Sequence, residues 1–166
     1  EITKKKSEEN IEISCVRRFK TILLQLKVSE PDTLSQLATK LASCHMKLLA
    51  NATTASETQI LEIKKLKNRY KLGLLSNFDD AQTARRVLKE KKLGPLFSSI
   101  IISDEVGRRK PAPDIFSVAL NSLEIEARET LFVGDSWEED IVGAAKFGMD
   151  SVWINPNRTR PEEKRI

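Results

Sequence analysis

The chain has 166 residues, of which 40% are hydrophobic and 31% are charged, and it contains 6 Gly and 6 Pro. This composition is typical of a soluble globular domain and excludes disordered and collagen-like chains. The net charge is +4, but acidic residues are mixed with the basic ones and few aromatic residues accompany them, so we expect no nucleic-acid partner. Every apolar run is far shorter than the roughly 20 residues that span a bilayer. Because the start of the chain also lacks the apolar segment of a signal peptide, we expect no membrane partner and a cytoplasmic location.

The first 56 residues predict a hairpin of helices. Apolar residues recur at helical spacing from Ile11 to Leu26, which predicts one amphipathic helix. Ser29, with an acid three residues on and Pro31 in the first turn, predicts the cap and start of a second helix. Its apolar residues extend over 34–49, and the small polar residues of 51–56 predict a linker.

The two cysteines of the chain lie in these helices. Cys15 and Cys44 share no metal-ligand spacing with each other or with His45, which is the only histidine. We therefore interpret both cysteines as reduced thiols in the core of a cytosolic protein.

Short apolar runs alternate with helical stretches in the rest of the chain. The apolar runs predict strands over 72–75, 99–103, 130–133 and 151–154. The amphipathic stretches predict helices over 58–70, 80–93, 113–123 and 137–147. This alternation indicates an α/β fold, a Rossmann-like parallel sheet with flanking helices, with an N-terminal helical segment in front of it. In such sheets ligands bind at the carboxyl ends of the strands.

Polar residues follow three of the predicted strands. Ser76 and Asn77 follow the first strand, Lys110 lies in the loop after the second, and Asp135 and Asp140 follow the third. Each feature alone has a structural interpretation as a turn or a helix cap. The ordered set at successive strand ends is harder to explain by capping, and carboxylates of this kind suit Mg²⁺. The pattern therefore predicts a functional site at this edge of the sheet.

Three segments resemble conserved motifs of the haloacid dehalogenase superfamily. They are Leu74-Leu75-Ser76-Asn77, Lys110-Pro111-Ala112-Pro113-Asp114-Ile115-Phe116, and Phe132-Val133-Gly134-Asp135-Ser136 to Asp140, which are similar to motifs II, III and IV. The resemblance extends over about residues 60–155, and the helical segment before it resembles in pattern the α-helical cap of the phosphatases in that superfamily. The resemblance implies a partial α-helical cap over residues 1–56 and a core over 57–166 that lacks its first strand.

The resemblance also implies roles for the five polar residues. Ser76, with Asn77 beside it, is expected to bind phosphate, and Lys110 is expected to neutralise charge on the nucleophile and the phosphate. Asp135 is expected to bind Mg²⁺ directly, with Asp140 as a second ligand or as a residue that orients the first. These roles describe a Mg²⁺-dependent phosphohydrolase that acts on a small phosphorylated metabolite through an aspartyl-phosphate intermediate. The Gly-Asp pair of motif IV favours phosphoryl transfer over metal-free dehalogenation.

The nucleophile of that chemistry is not found in the sequence. The superfamily uses Asp-x-Asp-x-Thr or Asp-x-Asp-x-Val, and no such motif occurs in the 166 residues. We therefore expect the chain to begin within the cap and to be nearly inactive by itself, as a fragment of a phosphatase. The alternative is a non-catalytic module that keeps the fold for binding. A dinucleotide-binding dehydrogenase is excluded because no glycine-rich turn follows a strand, and the substrate and the oligomeric state stay open.

Overall fold

A computed structural model describes residues 10–157 of the chain. The prediction for the first residues, where a signal peptide would lie, and the end of the predicted core, residues 158–166, fall outside the described residues. The chain divides into two compact units, one that ends at Arg109 and one that begins at Lys110. The four strands form two parallel sheets of two strands, one in each unit, which agrees with the predicted α/β class. None of the helices within residues 10–157 is both long and apolar enough to cross a membrane.

The first unit begins with three helices. These are α1 (Cys15–Gln25), α2 (Pro31–Ala52) and α3 (Glu57–Lys67). Helices α1 and α2 pack against each other around a buried cluster of Cys15, Ala42 and Met46, so the predicted hairpin is confirmed. The prediction that Cys44 is a core thiol is wrong, because its side chain is exposed. Cys44 lies two residues from both Ala42 and Met46, about 200° around the helix, and therefore points away from the face they share.

Helix α1 begins later than the apolar pattern predicts. Ile11 pairs with Arg108 in an antiparallel bridge instead of joining the helix. The helix starts after Ser14, whose hydroxyl accepts a hydrogen bond from the Arg17 amide at 3.4 Å. The apolar residues at 11 and 13 fit helical spacing but lie in an extended segment. The pattern therefore predicted a helix that begins too early.

Helix α2 begins where the sequence predicts, but with a different cap. Glu30, and not Ser29, is the N-cap residue, and its carboxylate accepts hydrogen bonds from the amides of Asp32 and Thr33. A carboxylate has two oxygens, so it satisfies two free amides of the first turn where a serine hydroxyl would satisfy one. These bonds lower the pKa of Glu30.

The rest of the first unit contains one parallel strand pair with two helices. The elements are β1 (Gly73–Ser76), α4 (Ala81–Glu90), a 3₁₀ turn (Gly94–Leu96), β2 (Ser99–Ile102) and the short helix α5 (Ser103–Val106). In the register of this pair Ser76 lies opposite Ile102. The carboxyl ends of β1 and β2 therefore lie at the same edge, as the sequence predicts.

The second unit contains the other strand pair. Its elements are α6 (Pro113–Leu123), a 3₁₀ turn (Ala127–Glu129), β3 (Leu131–Gly134), a π-helix (Trp137–Val142), α7 (Gly143–Lys146) and β4 (Asp150–Trp153). Phe116 is 1% exposed and is the largest fully buried side chain among the described residues. Its ring centroid lies 5.5 Å from that of Phe132 and 5.6 Å from that of Phe147. These aromatic contacts join α6 to β3 and to the end of α7.

The predicted helical stretch over 137–147 is confirmed, but its first half is a π-helix and not an α-helix. The amides of Asp140 and Ile141 both donate to the carbonyl of Ser136, at 2.9 and 3.3 Å, so the turn is widened by one residue. The apolar pattern does not distinguish a π-turn from an α-turn, because both keep one face toward the core. Such widened turns are frequent at functional sites, and this one carries Asp140.

Candidate active site

A buried ion pair joins two of the predicted site residues in the second unit. Lys110 and Asp140 are 8% and 3% exposed, and the Lys110 Nζ donates to Asp140 Oδ1 at 2.6 Å. The ammonium also lies 5.4 Å from the centroid of the Phe132 ring. A buried charge is stable only when it is paired and hydrogen-bonded, and this carboxylate is a counter-charge for the lysine inside the unit.

The second oxygen of Asp140 holds the turn after β3. Its Oδ2 accepts hydrogen bonds from the amides of Asp135 and Ser136, each at 3.0 Å. Gly134 makes this approach possible, because a Cβ at that position would overlap the Cβ and carboxyl group of Asp140. The Gly-Asp sequence of the motif therefore has a steric cause, since only glycine leaves room for the buried carboxylate.

Asp135 is held by its backbone, and its side chain is exposed. Its amide donates to Asp140, and its carbonyl accepts a hydrogen bond from the indole Nε1 of Trp153 at 2.9 Å. Within residues 10–157 no group donates a hydrogen bond to the Asp135 carboxylate. The fold thus fixes the position of this residue at the end of β3 and leaves its carboxylate available to a ligand.

The site offers a metal ion one exposed carboxylate, that of Asp135. No group of three or more His, Cys, Asp and Glu side chains that could hold a metal occurs in the described part of the chain. Mg²⁺ does not need such a group, because it keeps several waters and uses one or two carboxylates together with a substrate phosphate. Asp140 already accepts hydrogen bonds from an ammonium and two amides. Of its two expected roles, these bonds favour the one in which it orients the site.

Ser76 and Asn77 lie in the first unit, at the carboxyl end of β1. Ser76 is the last residue of the strand and is half-buried, and Asn77 begins the turn to α4. The next amide along this turn, that of Phe78, donates to the buried hydroxyl of Ser103 at 2.9 Å. The turn that the sequence predicts to bind phosphate is therefore tied to the residue that follows β2.

The two aspartates after this turn have structural roles. Asp80 is the N-cap of α4, where its carboxylate accepts a hydrogen bond from the Thr83 amide at 2.8 Å. Asp79 forms an ion pair with Arg18 of α1, and its carbonyl accepts a hydrogen bond from the amide of Cys15. Burial raises the pKa of Asp79 despite the nearby guanidinium. The carboxylate of Asp80 thus caps a helix, and that of Asp79 pairs with a guanidinium.

The structure thus brings Lys110, Asp135 and Asp140 together within the second unit, whereas Ser76 and Asn77 lie at a strand end in the first. Two polar residues with direct contacts to these turns were missed by the sequence analysis. Ser103 follows β2 directly and had the same signal as the other strand-end residues. Trp153 lies within β4 and had no signal, because its contact with Asp135 depends on the strand register.

Comparison with known proteins gives the family. The family of haloacid dehalogenase-like hydrolases matches residues 1–154, and the chain belongs to this family. Among curated relatives it is 36% identical over 85 residues to a glyceraldehyde 3-phosphate phosphatase of Pyrococcus abyssi, covering 51% of this chain and 35% of that protein. It is 28% identical over 174 residues to the human N-acylneuraminate-9-phosphatase, covering 97% of this chain and 69% of that protein. The chain therefore spans between about one third and two thirds of the length of these relatives.

Solved structures show the same fold. The YfnB HAD-hydrolase of Bacillus subtilis, in a structure bound to magnesium, matches with a TM-score of 0.69 at 25% identity, over 87% of this chain and 62% of that one. A 2-haloacid dehalogenase of Pseudomonas syringae matches with a TM-score of 0.72 at 23% identity, over 92% of this chain and 63% of that one. The second likeness concerns the fold alone. The expected family and α/β class are thus confirmed.

Proposed function

We propose that this chain supplies the phosphate-binding and magnesium-binding residues of a phosphohydrolase that acts on small phosphate esters. The observation that carries the proposal is the buried Lys110–Asp140 pair, whose second carboxylate oxygen holds the turn of Asp135. An ion pair of this kind is costly to bury. Here it presents one exposed carboxylate at the end of a parallel strand, which is where ligands bind in open α/β sheets.

Each residue has a defined task in this proposal. Asp135 binds Mg²⁺, and Asp140 fixes both the turn of Asp135 and the Lys110 ammonium. Lys110 neutralises the negative charge of the phosphoryl group, and Ser76 with Asn77 binds the phosphate oxygens. A bound Mg²⁺ supplies charge neutralisation of the phosphoryl oxygens. The nucleophilic carboxylate of an aspartyl-phosphate mechanism is not among the 166 residues, so the proposal requires it from outside this chain.

The substrate class rests on the relatives. Two of them are phosphatases named for glyceraldehyde 3-phosphate and N-acylneuraminate 9-phosphate, which are small phosphorylated metabolites. We extend this class to the present chain, with a cytoplasmic location as the sequence predicts.

Calorimetric titration of the chain with Mg²⁺ and inorganic phosphate tests the proposal without requiring turnover. We expect phosphate to bind only with Mg²⁺ present. In Asp135→Asn we expect added Mg²⁺ no longer to promote phosphate binding. Glu138→Gln is the matched control, because it neutralises an exposed acid three residues away, and it is expected to bind as the wild type does. We expect Ser76→Ala to weaken phosphate binding about tenfold, through the loss of one hydrogen bond to a charged group. Equal affinities of the wild type and Asp135→Asn would contradict the proposal.

The second candidate is a binding module without catalysis, and the missing Asp-x-Asp sequence favours it. Both candidates bind phosphate, so the titration does not separate them. Sequencing the coding DNA upstream of the Glu1 codon does. An in-frame strand pattern followed by Asp-x-Asp-x-Thr or Asp-x-Asp-x-Val supports the phosphohydrolase, and hydrolysis of p-nitrophenyl phosphate by the longer protein would then be lost in Asp135→Asn. A start codon without that motif supports the binding module.

A further inference from the structure

Two hydrogen bonds through Ser103 connect the segment before α1 to the turn after Ser76. The amide of Phe78 donates to Ser103 Oγ at 2.9 Å, and Ser103 Oγ donates to Glu12 Oε2 at 2.6 Å. The other oxygen of Glu12 accepts a hydrogen bond from the amide of Ile13 at 3.0 Å. Ser103 is 0% exposed and the side chain of Glu12 is 2% exposed, so water does not compete with these bonds.

Glu12 determines which way the Ser103 hydroxyl points. The hydroxyl has one proton and two acceptors within reach, Glu12 Oε2 at 2.6 Å and the carbonyl of Phe78 at 3.3 Å. The carboxylate is both closer and charged, so it takes the proton. A lone pair of Ser103 Oγ then faces the Phe78 amide and fixes the backbone of that turn. If the hydroxyl donated to the Phe78 carbonyl instead, its lone pairs would be turned and would no longer hold the Phe78 amide in the same way.

The segment that carries Glu12 is itself fixed in place. The Glu12 amide donates to the carbonyl of Gly107 at 3.0 Å, and the Arg109 amide donates to the carbonyl of Asn10 at 3.0 Å. The Arg109 guanidinium also lies 3.8 Å from Glu12 Oε1. Because the backbone is paired at Asn10 and at Glu12, the Glu12 carboxylate approaches Ser103 from a defined direction.

We propose that Glu12 is a positioning residue for the phosphate-binding turn after β1, and that it acts through the hydroxyl of Ser103. The proposal rests on the function proposed above for Ser76. Filling space alone would not require a buried carboxylate, since an apolar side chain would do so without the cost of burying a charge. The carboxylate supplies two acceptor oxygens at one place, one for Ser103 and one for Ile13.

Glu12→Gln tests this role with almost no change of shape. Glutamine offers one acceptor oxygen, so its NH₂ group must face either the Ser103 hydroxyl or the Ile13 amide. Hydrogen exchange of the Phe78 amide, followed by NMR, is expected to become about tenfold faster, the effect of weakening one hydrogen bond by its typical net value. Phosphate affinity with Mg²⁺ is expected to fall about fivefold in the same variant, through displacement of the phosphate-binding turn.

Glu30→Gln is the matched control, because Glu30 also accepts hydrogen bonds from two backbone amides, at the start of α2. It is expected to change neither the Phe78 exchange rate nor the phosphate affinity. Ser103→Ala is expected to reproduce both effects of Glu12→Gln, and adding Glu12→Gln to Ser103→Ala is expected to cause no further loss of affinity. A role in stability alone would lower the free energy of unfolding without this non-additivity.

An unchanged Phe78 exchange rate in folded Glu12→Gln overturns the proposal, and so do additive losses of affinity in the double variant. If Glu12→Gln does not fold, Ser103→Ala decides, because it removes the acceptor of the Phe78 amide while Glu12 keeps its carboxylate and its bond from the Ile13 amide. Failure of the wild type to bind phosphate refutes the function proposed for Ser76. The exchange rate of Phe78 then still shows whether Glu12 fixes the turn.

Discussion

The buried Lys110–Asp140 pair should cost far more to break on one side than to replace on both. Their side chains are 10% and 4% exposed, so removal of one partner leaves the other charge buried without its main counter-ion. For such sites the expected loss in the free energy of unfolding is about 3–5 kcal/mol. For Lys110→Met we expect a loss of about 3 kcal/mol in the free energy of unfolding, because Asp140 keeps its two backbone amide donors.

The double variant should be much less destabilised than the sum of the two single ones. Asn at position 140 still offers an oxygen to the amides of Asp135 and Ser136, and Met at position 110 fills the space of the lysine stem. We expect the Lys110→Met, Asp140→Asn double variant to lose about 1–2 kcal/mol, which gives a coupling energy of at least about 4 kcal/mol between the two sites.

Urea unfolding followed by tryptophan fluorescence measures this cycle. Trp137 and Trp153 are the two tryptophans of the chain, and their ring centroids lie 5.0 Å apart in the second unit. Arg128 and Glu126 supply the control cycle, since they form an ion pair of 2.8 Å in the same unit with side chains 80% and 66% exposed. That pair should couple by less than about 1 kcal/mol. Equal coupling energies in the two cycles would refute the conclusion that burial makes the Lys110 pair important.

Three further predictions concern other parts of the chain. Gly134→Ala should lower the free energy of unfolding by about 1–3 kcal/mol, because the added methyl overlaps a buried carboxylate, and a normal urea midpoint would contradict this. Iodoacetamide should label Cys44 quickly and leave Cys15 unlabelled by mass spectrometry, since Cys15 is buried and burial raises the pKa of its thiol. Hydrogen bonding to Arg85 lowers the pKa of Glu105, so this bond stabilises the fold above the ordinary glutamate pKa and the contribution is lost as the pH falls through the lowered one. At pH 7, Glu105→Gln should therefore lower the free energy of unfolding by at most about 1 kcal/mol. Below the lowered pKa of Glu105 it should leave that free energy unchanged, as urea titrations at both pH values would show.

Much of the candidate site could be predicted from the sequence because its residues follow strands directly. Ser76, Asn77 and Asp135 lie where the period of the apolar runs predicts, within about a residue of each strand end. Asp140 could be predicted as a site residue but not as the partner of Lys110, because a pairing over thirty positions depends on the tertiary fold and not on local periodicity. Glu12 could not be predicted at all, since it lies in an extended segment that the apolar pattern assigned to a helix.

By itself the sequence determined the α/β class, the order of the elements and the strand ends that carry polar residues. These features depend on local periodicity and on glycine and proline positions, which act over a few residues. Only the tertiary structure decided that Asp140 accepts hydrogen bonds from both the Lys110 ammonium and the amides of its own turn. It also decided that the Ser103 hydroxyl points to Glu12. Such contacts join residues up to 91 positions apart. Their direction is set by backbone geometry and burial, because a charged group or hydroxyl removed from water must bond to whichever partner the fold brings within reach.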